Sequence, residues 1–255
     1  MIGVSGPARI GVTQLRLIVC FGGREDICRD HFEVSIRDPE LKEKLRPTYR
    51  AACKRLVYSW SYYEAVQHPA VHVETGPIAR IEPAGVRMSD GTLHELDTLV
   101  LATGFQADRF IRPASVIGEG GLSLDSFWER RPTAHLAVAM PGFPNFFMLN
   151  GPTGPVGNFS LIDIAERQWA YVDQLIDLLR SGEARALSPS PEAHADYEKR
   201  RVAAARKTIF GSGCSSWYLD GEGVPASWPW SYDAFAEAMS RPVLADYRVA
   251  APCGT

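Results

Sequence analysis

The chain has 255 residues, 45% of them hydrophobic and 22% charged, and a formal net charge of −3. That is enough apolar residue for a buried core, and too little positive charge for a surface built to grip nucleic acid or an anionic membrane. The apolar run at residues 15–21 is interrupted by Arg16, is too short to span a bilayer and shows no signal-peptide cleavage pattern, so a cytoplasmic location is the expectation.

In chain order, residues 15–21 read as a strand ending at Gly22-Gly23, and residues 26–44 as a charged helical stretch interrupted by Pro39. Residues 71–74 alternate as a short strand. Residues 78–81 and 86–88 flank Pro83-Ala84-Gly85, the pattern of two strands joined by a turn, and Asp90-Gly91 marks a second turn. Residues 97–102 (DTLVLA) form a nearly continuous apolar run, as expected of a strand buried on both faces of an α/β sheet, and lead into Thr103-Gly104-Phe105. Residues 145–150 (NFFMLN) read as another buried strand, ending at Gly151-Pro152-Thr153-Gly154-Pro155.

A helix is expected from about Ser160, with Leu161, Ala165, Trp169, Val172, Ile176 and Leu179 as its apolar stripe. Asp163, three residues after Ser160, resembles a capping box, and Gly182 supplies the stop. Ser190-Pro191 opens a second helix, expected to reach about Gly211, and the tail is rich in tryptophan and tyrosine. The class is α/β, with two partial domains joined near Gly104. The five cysteines form no C-x-x-C pair and the six histidines no helical H-x-x-x-H pattern, which argues against a metal site, a disulfide scaffold and a dithiol reductase.

Four segments stand in a telling order: Cys53-Lys54-Arg55; Ala102-Thr103-Gly104-Phe105; the stretch from Phe143-Pro144-Asn145-Phe146-Phe147 through Gly151-Pro152-Thr153-Gly154-Pro155-Val156-Gly157-Asn158; and Ser216-Trp217-Tyr218. Together, over residues 38–235, they resemble the second half of a Baeyer–Villiger monooxygenase, within the wider flavin-containing monooxygenase group. The resemblance implies a partial two-dinucleotide-binding-domain flavoprotein fold. Residues 1–104 would be the C-terminal portion of the NADP-binding domain. Residues 105–255 would be the C-terminal portion of the FAD-binding domain with a helical tail. The cofactors implied are FAD and NADP, and the co-substrates are O2 and a small organic molecule such as a ketone.

The same resemblance implies roles for particular residues. Arg55 would be catalytic, because a guanidinium holds an anionic oxidant without giving up a proton to it. Lys54 would meet the 2′-phosphate of NADPH. Thr103 and Gly104 would form the turn between domains, where a residue lacking Cβ lets backbone approach a cofactor. Gly151, Pro152, Gly157, Asn158 and Leu161 would lie at the flavin, with backbone donors at the helix start facing the ring edge that gathers negative charge. Trp217 would donate its indole N–H toward the nicotinamide ribose. Read as residues alone, Lys54-Arg55 is equally a pair of solvated charges, the Gly151 stretch a connection and Trp217 core filler.

The chain departs from the family in lacking any G-x-G-x-x-G between a strand and a helix, the phenylalanine–glycine–histidine–tryptophan fingerprint, and the acidic residue that accompanies the arginine. Ala52 stands where the family usually has glycine. Two readings follow: an enzyme of this family in truncated form, or a non-catalytic remnant or partner-dependent half whose FAD-binding half is encoded separately.

Overall fold

The computed structural model describes residues 24–54, 57, 59–156, 159–213 and 215–251, so the strand expected at residues 15–21 lies outside it. The described chain divides into two units. One runs to Phe105 and the other from Gln106, with Cys53 and Lys54 grouped with the second.

In the first unit the charged stretch becomes two helices, α1 (Arg24–Ser35) and α2 (Pro39–Leu45). Pro39 opens α2, where its missing N–H costs nothing, and the Asp38 carboxylate caps it by accepting from the Glu40 and Leu41 N–H groups at 2.8 and 3.4 Å. A short helix, α3 (Tyr62–Ala65), follows. Gln67 ties these pieces together: its amide donates to the Ser35 and Tyr63 carbonyls and accepts from the Arg37 N–H.

The expected pair of strands forms as β1 (Ile78–Glu82) and β2 (Gly85–Met88), antiparallel with Ile81 opposite Val86. Gly85 is required there, since a Cβ would sit 1.9 Å from the His94 carbonyl oxygen of the neighbouring β3 (Leu93–Glu95). Asp90 shapes the turn between β2 and β3 by accepting from the Thr92 N–H at 2.8 Å.

Two expected strands of this unit are absent. Neither residues 71–74 nor residues 97–102 form a ladder with any described residue. The second case reverses the expectation: Val100 is 72% exposed, Leu101 69% and Phe105 fully so. A strand buried on both faces needs a neighbour on each side and a layer above and below, and no described residue supplies them.

The second unit holds α4 (Leu124–Phe127), α5 (Leu161–Arg180), β4 (Ala186–Pro189), α6 (Pro191–Ala205), α7 (Tyr232–Ala238) and β5 (Tyr247–Ala250). β4 and β5 pair antiparallel, Leu187 opposite Val249. One core cluster gathers around α5, where Ile164, Tyr171, Val172 and Leu175 meet Leu187, Tyr197, Phe235 and Tyr247. A second joins Leu124, Trp128, Ala134, Met140 and Phe143. Residues 145–150 are not a strand either. Positive φ at Asn145 (58°) and Asn150 (50°) bends both ends, and only Phe147 forms a bridge, to Ala139.

Gly182 ends α5 with φ 77° as expected, whereas α6 stops at Ala205, short of Gly211. The architecture is thus α/β, and the sheets formed by the described residues are small and antiparallel.

Candidate functional site

The site expectations in the second unit converge on the start of α5. The Ser160 side chain caps the helix by accepting from the Asp163 N–H at 3.4 Å. The capping box is not completed. The Asp163 carboxylate instead accepts from the Tyr232 hydroxyl and lies 3.5 Å from Arg167, which itself donates to Tyr232 at 2.7 Å. These bonds dock the first turns of α5 onto α7.

The expected stripe is met in the second half of the helix, where Val172 is buried and Ile176 and Leu179 pack against the core, but not at its start. Its buried face carries Ile164, Gln168, Tyr171, Val172 and Leu175, while Leu161, Ile162 and Trp169 face outward. Gln168, fully buried, went unnoticed as a functional position. Its Oε1 accepts from the Asn150 N–H at 2.6 Å and its Nε2 donates to the Ala137 carbonyl at 3.3 Å, while Asn150 Nδ2 donates to the Leu161 carbonyl at 3.2 Å. A single polar residue interrupting an apolar helix face was the available signal.

That clamp fixes the loop entering α5. Gly151, Pro152, Thr153, Gly154 and Pro155 are buried. A Cβ on Gly151 would lie 2.4 Å from the Ala137 carbonyl oxygen, so close backbone packing within the protein already demands glycine there. Gly157 and Asn158 lie outside the described residues. The N–H groups of Leu161 and Ile162 find no acceptor among the described residues, as at any helix start, and they emerge beside two outward apolar side chains.

Trp217 is 57% exposed and lies tilted against the buried Tyr218, ring centroids 4.0 Å apart. Lys54 is exposed, and Arg55 lies outside the described residues. Cys53, beside Lys54, is buried and disulfide-bonded, a pairing that the scattered cysteines did not suggest, while Cys28 is a free, exposed thiol. Ala52 adopts φ 65°, the left-handed conformation that favours glycine. In the first unit Thr103 is exposed and Gly104 turns with φ 89° and open space around it.

Among the described residues no group of three or more His, Cys, Asp or Glu could hold a metal ion, and no helix is long and apolar enough to cross a membrane.

The α/β fold resembles part of the two-dinucleotide-binding-domain fold of flavoprotein monooxygenases, and the chain is homologous to Baeyer–Villiger and related flavin monooxygenases over part of their length. An uncharacterized monooxygenase of Mycobacterium tuberculosis is 42% identical over 220 residues, which cover 86% of this chain and 43% of that protein. A Baeyer–Villiger monooxygenase of Streptomyces coelicolor is 34% identical over 231 residues, covering 89% and 44% respectively. The crystal structure of cyclohexanone monooxygenase from Rhodococcus sp. Phi1 bound to NADP+ superposes with a TM-score of 0.79 at 31% identity, covering 89% of this chain and 44% of that one. The chain therefore spans less than half the length of these relatives. No protein-family model matches it.

Proposed function

We propose that the chain is the C-terminal part of an FAD- and NADPH-dependent monooxygenase that inserts oxygen beside a ketone carbonyl or oxygenates nitrogen or sulfur. In this reading residues 1–104 close the NADP-binding domain and residues 105–255 complete the FAD-binding domain. The observation that carries it is the joint match, in sequence and in fold, to relatives that include an NADP+-bound cyclohexanone monooxygenase. FAD, reduced by NADPH, would supply the activation of O2.

The chain's own residues fit that role. The Leu161 and Ile162 N–H groups, with outward apolar side chains beside them, suit the edge of a flat ring that gathers negative charge. The exposed Trp217 offers a flat face and an indole donor. Lys54 would read the 2′-phosphate, and Arg55 would hold negative charge at the reacting centre without surrendering a proton. In such an enzyme the bare apolar segment at residues 97–105 would be covered by the FAD-binding half.

Two measurements test this. The chain alone is expected to retain little FAD, and stoichiometric yellow flavin surviving gel filtration overturns that division of affinity. With an FAD-binding half supplied, Lys54→Ala is expected to weaken NADPH by about ten- to hundredfold while leaving NADH nearly unchanged, because one charge-assisted contact is lost. An unchanged NADPH/NADH preference removes Lys54 from the site.

A further inference from the structure

Trp217 stands in the turn that leads into a small hairpin. Leu219 bridges Pro225, the Ala226 N–H donates to the Tyr218 carbonyl at 2.8 Å, and the Asp220 N–H donates to the Val224 carbonyl at 2.9 Å. Ionic contacts tie this hairpin to its unit. Arg201 of α6, fully buried, makes two bonds to the Glu198 carboxylate at 2.7 and 2.9 Å, and its Nη1 donates to the Pro225 and Ser227 carbonyls at 2.8 and 3.4 Å. Arg131 grips the other side: its Nη1 is 3.3 Å from Asp220 Oδ2 and its Nη2 3.7 Å from Glu198 Oε2. Arg130 pairs with Glu222 at the hairpin tip.

Asp220 has a double part. Its Oδ1 accepts from the Glu222 and Val224 N–H groups, both at 2.9 Å, which shapes the turn, while its Oδ2 takes the Arg131 contact. The Asp220 side chain is 4% exposed, so water screens this pair far less than a surface pair. A buried carboxylate with partners on both oxygens tolerates one geometry only.

The geometry points to the Arg131–Asp220–Glu198–Arg201 lattice as the device that positions Trp217. Arg131 and Asp220 are positioning residues, acting through the hairpin rather than on a ligand, and the assignment rests on the reading of Trp217 as a cofactor contact. Asp220 stands three residues beyond Trp217 in the chain, past the Leu219 bridge that joins the two turns. Trp217 itself contributes little grip, being largely exposed, with its ring against that of its chain neighbour Tyr218.

Hydrogen exchange on the full chain tests the lattice. Arg131→Met and Asp220→Asn are each expected to speed exchange at residues 216–227 by about tenfold or more, leaving the α5 amides unchanged, as local opening without global loosening requires. Arg131→Lys, which restores the charge, is expected to recover part of the protection. Unchanged protection at residues 216–227 overturns the assignment, and so does equal acceleration in α5. A separate titration with NADP+, with an FAD-binding half supplied so that the parent complex binds it, addresses the reading of Trp217: Trp217→Phe binding NADP+ as tightly as the parent complex overturns that reading and leaves the exchange result standing.

Discussion

Residues 97–102 and 145–150 look alike in sequence, each a six-residue apolar run ending at a glycine-bearing turn, yet they end in opposite surroundings. The first lies bare, with Val100 and Leu101 in solvent. The second is held at several points along its length. Leu187 donates its N–H to the Asn145 side chain, the Met148 N–H reaches the Val138 carbonyl at 2.8 Å, and Gln168 takes the Asn150 N–H. Neither run is a strand. What separates them is the presence of partners: burial belongs to a set of elements, and an apolar run gains it only where other chain segments meet its backbone and its faces.

Substitutions can break that contrast, and the largest effect is expected where the second run is anchored. His135 exchanges backbone bonds with Ala139, the residue that bridges Phe147, and its ring packs against Tyr197 and Tyr247, with neither nitrogen hydrogen-bonded to a described residue. Burial, with the charges of His194 and Arg200 adding to it, pushes His135 down to about 4 from an ordinary 6.5. The Asp246 carboxylate, 3.9 Å from Nε2, does not offset the desolvation. The neutral ring is therefore the folded form. Stability is full above pH 6.5 and falls as the pH drops toward 4, because the unfolded chain takes up the proton first; the loss is about 3 kcal/mol. Denaturant melts across this range should show the loss in the parent chain and a much smaller one in His135→Phe. An identical pH dependence in the two proteins would contradict it.

Gly151→Ala comes next, at a cost of about 1–3 kcal/mol, since the new methyl meets a backbone carbonyl rather than a flexible side chain. An unshifted melting midpoint would mean that the loop yields easily. Ser160→Ala should cost about 1 kcal/mol through the lost cap. The smallest effect belongs to the bare run: Leu101→Lys should change the stability of the chain alone by no more than about 0.5 kcal/mol. A loss of several kcal/mol in equilibrium unfolding would show that the segment is buried after all.

Elements that satisfy their own hydrogen bonds were legible in the sequence. α5 with Ser160 and Gly182 at its ends, α6 opening at Pro191, and the β1–β2 turn all form where local chemistry places them. Elements that depend on distant partners were not. β4 and β5 pair across residues far apart in the chain and carry no local mark, and the run at residues 97–102 carried a mark without a partner. The site divides the same way. Family-like motifs led to Lys54, Gly151, Leu161 and Trp217, whereas Gln168, Arg201 and Asp220 also depend on contacts many residues away, which no local pattern marks. The small departure at Ala52 also gains weight, since its left-handed φ is where alanine is strained and glycine is not.

The outward turn of α5 has an optical consequence. Trp60, Trp169 and Trp217 look into solvent, whereas Trp128 and Trp228 are buried and Trp230 is half-buried, so the chain carries an exposed and a buried class of indole whose emission differs in colour and in access to a soluble quencher. Anything that covers the start of α5, whether a flat cofactor or a companion polypeptide, would move Trp169 from the first class toward the second. Replacing Trp169 with phenylalanine isolates its share of the signal. The protein therefore reports the filling of its own candidate site without any added label.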